Sequence, residues 1–120
     1  MVVLIVASNP DLSRLWARHL ERLDHQTVVV HAQEDAVNYL RLHNVDVIVL
    51  DLMLEFGSAI AVADYASYRW PEARVVFVTN STFFSDGSIF NHIPNAAALV
   101  QEQTPPRDLA AIVEYHGRAC

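Results

Sequence analysis

The chain has 120 residues, of which 52% are hydrophobic and 18% charged, and its formal net charge is −6. This length and composition predict a single stand-alone globular domain over residues 1–120, with one hydrophobic core, and exclude a disordered or fibrous chain. The acidic balance provides no basic stripe to neutralise phosphates, so we expect no nucleic-acid partner.

The basic residues and the single cysteine narrow the chemistry further. All eight basic residues are arginine and none is lysine, which excludes Schiff-base chemistry and P-loop phosphate binding. The only cysteine is the last residue, Cys120, so no intrachain disulfide forms. The apolar start lacks a basic n-region and is too short for a membrane span, so we expect a cytoplasmic protein with no membrane association.

Apolar runs alternate with segments of helical periodicity along the whole chain. Residues 2–6 form an apolar run rich in β-branched residues, which predicts a strand buried on both faces. Asn9 and Pro10 then provide a helix cap and a first helical residue for a helix to about Leu23. A strand over 27–30 and a helix over 36–42 follow, and the apolar run 45–50 predicts a central strand that ends at Asp51.

The second half continues the alternation. Gly57 and Ser58 open a helix to about Arg69, and 74–78 form a fourth strand. The segment TNSTFFSDGSIFNHI predicts a short or irregular helix, in which exposed members of the group Phe83, Phe84, Ile89 and Phe90 would mark a partner surface. A fifth strand over 96–100 precedes a last helix that begins at Thr104 and Pro105.

Five strands alternating with five helices predict an α/β fold, a five-stranded parallel sheet with helices on both faces. In such sheets the site lies beyond the carboxyl ends of the strands, where strand order reverses. The candidate site residues are therefore those that directly follow strands: Ala7-Ser8-Asn9, Asp51, Thr79-Asn80 and Gln101-Glu102.

Four stretches resemble the receiver domains of two-component response regulators: VLIVASNPDL, VDVIVLDLML, VVFVTN and ALVQEQTPPRDL. The resemblance covers nearly the whole chain and implies the (βα)5 flavodoxin-like topology with strand order 2-1-3-4-5. It implies that Asp51 is the residue phosphorylated by a histidine kinase or phosphotransfer protein, and that Thr79 is the hydroxyl residue that contacts the phosphoryl group.

Other positions depart from the family's pattern. Ala7 and Ser8 replace its adjacent acidic pair, so that Mg²⁺ would have only Asp51, the Met53 carbonyl and the Ser8 hydroxyl, a weak site. We therefore expect no resident metal cofactor. Glu102 stands at the position of the family's lysine, where an anion would repel the phosphoryl group.

The departures extend to the residues that read out phosphorylation in the family. Leu99 stands at the aromatic switch position, Glu55 replaces the usual proline, and Asn80 replaces a small residue. These differences predict an atypical receiver that acts by protein contact, with weak or no phosphorylation at Asp51. The implied partners are a histidine kinase, a phosphotransfer protein or a downstream regulator, with a homodimer as a further option.

Several alternatives stay open at this point. The chain could be a conventional receiver phosphorylated by its kinase, or an aspartate-nucleophile phosphatase, although Met53 replaces the second acid such an enzyme needs, and we expect no enzymatic activity. Asp51 could be an ordinary turn acid, Ser8 and Asn9 helix caps, and Thr79 a β-branched strand residue. The six histidines lack metal-site spacing, which favours surface or core roles: His19, His25, His31, His43, His92 and His116.

Overall fold

The computed structural model describes residues 1–80 and 93–118, over which five strands alternate with four helices. The strands are β1 (Val2–Val6), β2 (Gln26–Val30), β3 (Val47–Asp51), β4 (Arg74–Thr79) and β5 (Ala96–Gln101). The helices are α1 (Pro10–Arg22), α2 (Gln33–Leu42), α3 (Ala59–Arg69) and α4 (Pro106–Arg118). The predicted irregular helix, with Phe83, Phe84, Ile89 and Phe90, lies outside the described residues.

The five strands form one parallel sheet in the order β2-β1-β3-β4-β5, which confirms the predicted fold and strand order. All five residues of β3, at the centre, are buried, which explains the continuous apolar run before Asp51. Strand order reverses between β1 and β3. The loops that follow these two strands therefore border the crevice in which sheets of this kind bind ligands.

Helices cover both faces of the sheet, because alternate side chains of each strand point to opposite sides. Val47 and Val49 of β3 pack in a cluster with residues of α1 and α4. Ile48 and Leu50 pack in a second cluster with residues of α2 and α3. By the same alternation, the Asp51 side chain lies on the face of the sheet that α1 and α4 cover, as the Val49 side chain does.

Local capping agrees with the predicted helix starts. The Asn9 side-chain oxygen accepts hydrogen bonds from the backbone N–H groups of Asp11 at 2.9 Å and Leu12 at 3.2 Å, and Pro10 is the first residue of α1. The Ser58 hydroxyl accepts a hydrogen bond from the Ala61 N–H at the start of α3. These contacts confirm Asn9 and Ser58 as the capping residues of α1 and α3.

The starts of β3 and α2 differ from the predictions. β3 begins at Val47 rather than residue 45, because the Asp46 carboxylate accepts a hydrogen bond from the Val2 N–H at 2.7 Å and acts as a link to β1. α2 begins at Gln33, three residues earlier than predicted, and its N–H donates to the Phe56 carbonyl at 3.1 Å. No helix in the described ranges combines the length and apolar character needed to cross a membrane.

Candidate functional site

The predicted site residues meet at the carboxyl edge of the sheet. Asp51 of β3 pairs with Val78 of β4, so Thr79 lies one residue beyond it on the neighbouring strand. Thr79 pairs in turn with Gln101 of β5, and Glu102 follows directly. Ala7 and Ser8 follow β1, which lies on the other side of β3. The loops after β1, β3, β4 and β5 therefore border the same edge.

Asp51 is the buried carboxylate of this edge, with 8% of its surface exposed. Its Oδ1 accepts a hydrogen bond from the Met53 N–H at 2.9 Å. Burial raises the pKa of the Asp51 carboxyl above its usual value, although this hydrogen bond acts in the opposite direction. Within the described part of the chain, Asp51 forms no salt bridge with an arginine or a histidine. Among the residues that the structure describes, the carboxylate therefore has one backbone donor and no counter-ion.

Ser8 holds the loop that follows Asp51. Its hydroxyl oxygen accepts a hydrogen bond from the Glu55 N–H at 2.9 Å, which joins the β1–α1 and β3–α3 loops. The interpretation of Ser8 as a cap of α1 is therefore wrong, since Asn9 alone provides the side-chain cap. Ala7 is fully buried and brings only a methyl group to the edge.

Thr79 and Glu102 lie next to each other at the ends of β4 and β5. Thr79 is fully buried, and its carbonyl accepts a hydrogen bond from the Glu102 N–H at 2.7 Å. Glu102 is half-buried, so its carboxylate still reaches solvent. Leu99 does not belong to this edge: it lies inside β5 opposite Phe77 and packs against the cluster under α2 and α3.

The side chains at this edge do not fit a magnesium ion. Mg²⁺ prefers near-octahedral oxygen coordination that usually includes carboxylates. Asp51 is the carboxylate at the head of the crevice, and Ser8 already binds the Glu55 N–H. The described residues contain no group of three or more histidine, cysteine, aspartate or glutamate side chains that could hold a metal. The donor set therefore lacks the acids that would neutralise a divalent cation here.

Two further residues shape the edge, and the sequence reasoning did not select them. His31, directly after β2, places its Nδ1 2.8 Å from the Ala7 carbonyl. The side-chain oxygen of Gln33 accepts a hydrogen bond from the Ser58 N–H at 2.8 Å. His31 follows a strand, as the other candidates do, so its position alone was a usable signal. The Gln33 contact joins residues far apart in sequence, and no local pattern indicates it.

Gly57 allows the β3–α3 loop to approach α2 closely. Its φ of +109° lies in a region that L side chains rarely adopt, and a Cβ built there would lie 2.3 Å from the Cβ of Gln33. The loop over residues 52–58 is therefore held at its middle, by Ser8 on Glu55, and at its end before α3, by Gln33 on Ser58.

Many solved structures share this architecture. No family model matches the sequence. Over 51 residues, 42% of this chain, it is 33% identical to the heme response regulator HssR of Staphylococcus saprophyticus. That stretch spans 23% of the HssR chain, so the likeness concerns one part of a longer protein.

Solved structures match the whole fold. The non-phosphorylated HemR receiver domain from Leptospira biflexa superimposes with a TM-score of 0.88 at 18% identity, over 99% of this chain and 95% of that one. The N-terminal domain of a response regulator/sensory box/GGDEF protein from Carboxydothermus hydrogenoformans gives a TM-score of 0.87 at 22% identity, over 98% and 94%. A CheY-like receiver domain from Methanospirillum hungatei gives 0.87 at 16% identity, over 97% and 92%. The chain has the fold of response regulator receiver domains.

Proposed function

We propose that this protein is a receiver module of two-component signalling that acts through protein contacts, with Asp51 at the phosphoacceptor position of an atypical site that is phosphorylated slowly or not at all. The observation that carries the proposal is the surroundings of Asp51. It ends the central strand at the reversal of strand order, yet within residues 1–80 and 93–118 its carboxylate has one backbone hydrogen bond and no cation beside it.

The chemistry of phosphoryl transfer explains why these surroundings disfavour phosphorylation. Catalysis of this reaction depends on positioning and on neutralising the charge of the transferred group. Ala7 and Ser8 provide no anionic ligands for a metal, and the Ser8 hydroxyl is already engaged with the Glu55 N–H. Glu102, beyond Gln101 on β5, adds negative charge to the same edge. Each replacement raises the barrier to placing a dianionic group on Asp51.

A conventional receiver phosphorylated by a partner is the second candidate. It is favoured by the positions of Asp51 and Thr79, a carboxylate and a hydroxyl residue at the ends of neighbouring strands. In this case a histidine kinase or phosphotransfer protein would supply the missing cations from its own side of the interface. Both candidates assign the protein to two-component signalling, with these proteins or a downstream regulator as partners.

We further propose that the protein is not a phosphatase. An aspartate-nucleophile phosphatase of the D-x-D type needs a second acid two residues after the nucleophile to act as acid and base. Met53 occupies that position, and its backbone N–H binds Asp51 instead. We expect no turnover of p-nitrophenyl phosphate above the rate of the Asp51→Asn variant. Turnover that this substitution abolishes would contradict the proposal.

Intact-mass spectrometry after incubation with acetyl phosphate and Mg²⁺ tests the leading candidate. We expect little or no species heavier by one phosphoryl group, and no change in its amount on Asp51→Asn. Stoichiometric phosphorylation that Asp51→Asn abolishes would overturn the proposal. Labelling of Asp51 by a histidine kinase, without labelling by acetyl phosphate, would select the second candidate.

A further inference from the structure

The edge strand β2 has one side that pairs with β1 and one side that faces away from the sheet. The Gln26 N–H donates to the Met1 carbonyl, and the Val30 carbonyl accepts from the Ala7 N–H. In a parallel pair, the N–H and C=O of one residue point to the same side and alternate residues point to opposite sides. The main-chain groups of Thr27 and Val29 therefore point outward, where no other strand of the described sheet lies.

A groove of about 360 Å³ runs beside this open edge, between α1 and β2. Its lining includes side chains of α1, of β2 and of the residue that follows β2: Arg14, Arg18, Glu21, Thr27, Val29 and His31. Thr27 and Val29 thus contribute side chains to the groove and outward main-chain groups to the edge. A polypeptide laid along β2 would meet both features at once.

The groove is basic in a protein whose net charge is −6. Arg14 and Arg18 lie one turn apart on α1, with His31 opposite them. The acid of this groove is Glu21, and its Oε2 accepts a hydrogen bond from the Thr27 hydroxyl at 2.7 Å. Two guanidinium groups therefore face an occupant against one carboxylate in this groove. An acidic occupant complements this charge.

We propose that β2 and this groove bind an extended acidic segment of a partner protein, which adds to the sheet as a sixth strand. The outward N–H and C=O groups of Thr27 and Val29 provide main-chain hydrogen bonds, and Arg14 and Arg18 select acidic side chains. The surface is separate from Asp51, so this proposal does not rest on the proposed function.

The same observations disfavour two other occupants. A second copy paired through its own β2 would offer a strand without acidic residues, QTVVV, and it would bring two further arginines for one further Glu21. A nucleic acid would satisfy the arginines but not the row of alternating main-chain donors and acceptors at Thr27 and Val29. A polypeptide with acidic side chains satisfies both requirements.

A matched set of synthetic peptides tests the proposal. The probes are an octapeptide of alternating glutamate and valine, the same peptide with lysine for glutamate, and the glutamate peptide with alternate backbone amides N-methylated. In nuclear magnetic resonance titrations we expect saturable binding of the first peptide alone, together with slower hydrogen exchange at the Thr27 and Val29 amides. Neither control peptide should protect these amides.

Charge-reversal variants locate the site. Arg14→Glu combined with Arg18→Glu should weaken binding of the acidic peptide by at least about tenfold, because attractive charge pairs at the interface become repulsive. Arg107→Glu, an equal charge change per residue at an exposed position of α4, should change affinity by less than about twofold, because a screened charge outside the contact contributes little. Circular dichroism confirms that each variant is folded.

The absence of saturable binding would overturn the proposal. Unchanged affinity in the folded Arg14→Glu and Arg18→Glu double variant would do so too, as would binding that leaves exchange at Thr27 and Val29 unaltered. Equal affinity for the lysine peptide would also contradict the selection of acidic segments. Binding of single-stranded DNA with equal protection of these amides would instead favour a nucleic-acid occupant and refute the added strand.

Discussion

Restoring the missing charges should convert the edge around Asp51 into a site that accepts a phosphoryl group. The variant carries Ala7→Asp, Ser8→Asp and Glu102→Lys. The first two substitutions place acids beside Asp51 and create a carboxylate set suited to Mg²⁺. The third replaces the anion that directly follows β5 by a cation, and the matched control keeps Glu102 and carries only the two aspartates.

The sheet geometry sets the size of the Glu102 effect. β5 is two strands away from β3, and adjacent strands lie about 4.8 Å apart, so the charges are roughly 10 Å from each other. At that distance and an effective dielectric near 20, one pair of unit charges interacts by about 1.7 kcal/mol. Changing −1 to +1 doubles this to about 3.3 kcal/mol, a rate ratio of a few hundredfold, and solvent screening makes this an upper figure.

The assay follows formation of the acyl phosphate by intact mass, with acetyl phosphate as donor and a series of Mg²⁺ concentrations. We expect the triple variant to be phosphorylated in an Mg²⁺-dependent manner, faster than the double variant by up to a few hundredfold. Asp51→Asn in the triple background should abolish the product. A folded triple variant that binds Mg²⁺ but stays unphosphorylated, or equal rates in the two variants, would refute the electrostatic reasoning.

Three further predictions concern stability. Asp51→Asn should raise the free energy of unfolding at neutral pH. Burial raises the pKa of the Asp51 carboxyl, so the folded state binds more protons than the unfolded state between the two pKa values, and the stability of the unmodified protein falls as the pH rises from the unfolded pKa through the folded pKa. Urea denaturation at a series of pH values should show that the stability difference between Asp51→Asn and the unmodified protein decreases as the pH falls and becomes constant below the unfolded pKa. A difference that is independent of pH would contradict the prediction. Ser8→Ala should lower the unfolding free energy by about 1 kcal/mol and speed hydrogen exchange at the Glu55 amide, and an unchanged exchange rate there would contradict the loop contact. Gly57→Ala should lower the free energy of unfolding by about 1–3 kcal/mol, because φ is +109° and the new Cβ would overlap the Gln33 side chain. An unchanged stability in thermal unfolding would contradict this prediction and show that the loop relaxes freely.

The sheet could be predicted because its strands are short apolar runs with clear boundaries. Asn9 and Pro10 indicated the start of α1, and the run before Asp51 indicated the central strand, as the structure confirms. The starts of β3 and α2 were misplaced because Asp46 and Gln33 make tertiary hydrogen bonds that no local pattern contains. Such contacts override propensity at element ends.

The composition of the site was predictable in part for the same reason. Parallel strands bring their carboxyl ends to one edge, so residues that follow strands, such as Asp51, Thr79 and Glu102, had to lie close in space. The role of Ser8 was not predictable, because a serine before a helix caps it as readily as it binds a loop. Only the path of the loop 52–58, which brings the Glu55 N–H to the hydroxyl, decides between the two.

A structure of the protein with Mg²⁺ and beryllofluoride tests the central claim most directly, since beryllofluoride binds a phosphoacceptor carboxylate as a mimic of the phosphoryl group. Our account predicts no beryllofluoride on Asp51, with the Met53 N–H still bound to its carboxylate and the Ser8 hydroxyl still bound to the Glu55 N–H. A beryllofluoride adduct on Asp51, contacted by Thr79 and a metal ion, would contradict it and identify a site that accepts phosphoryl groups as it stands.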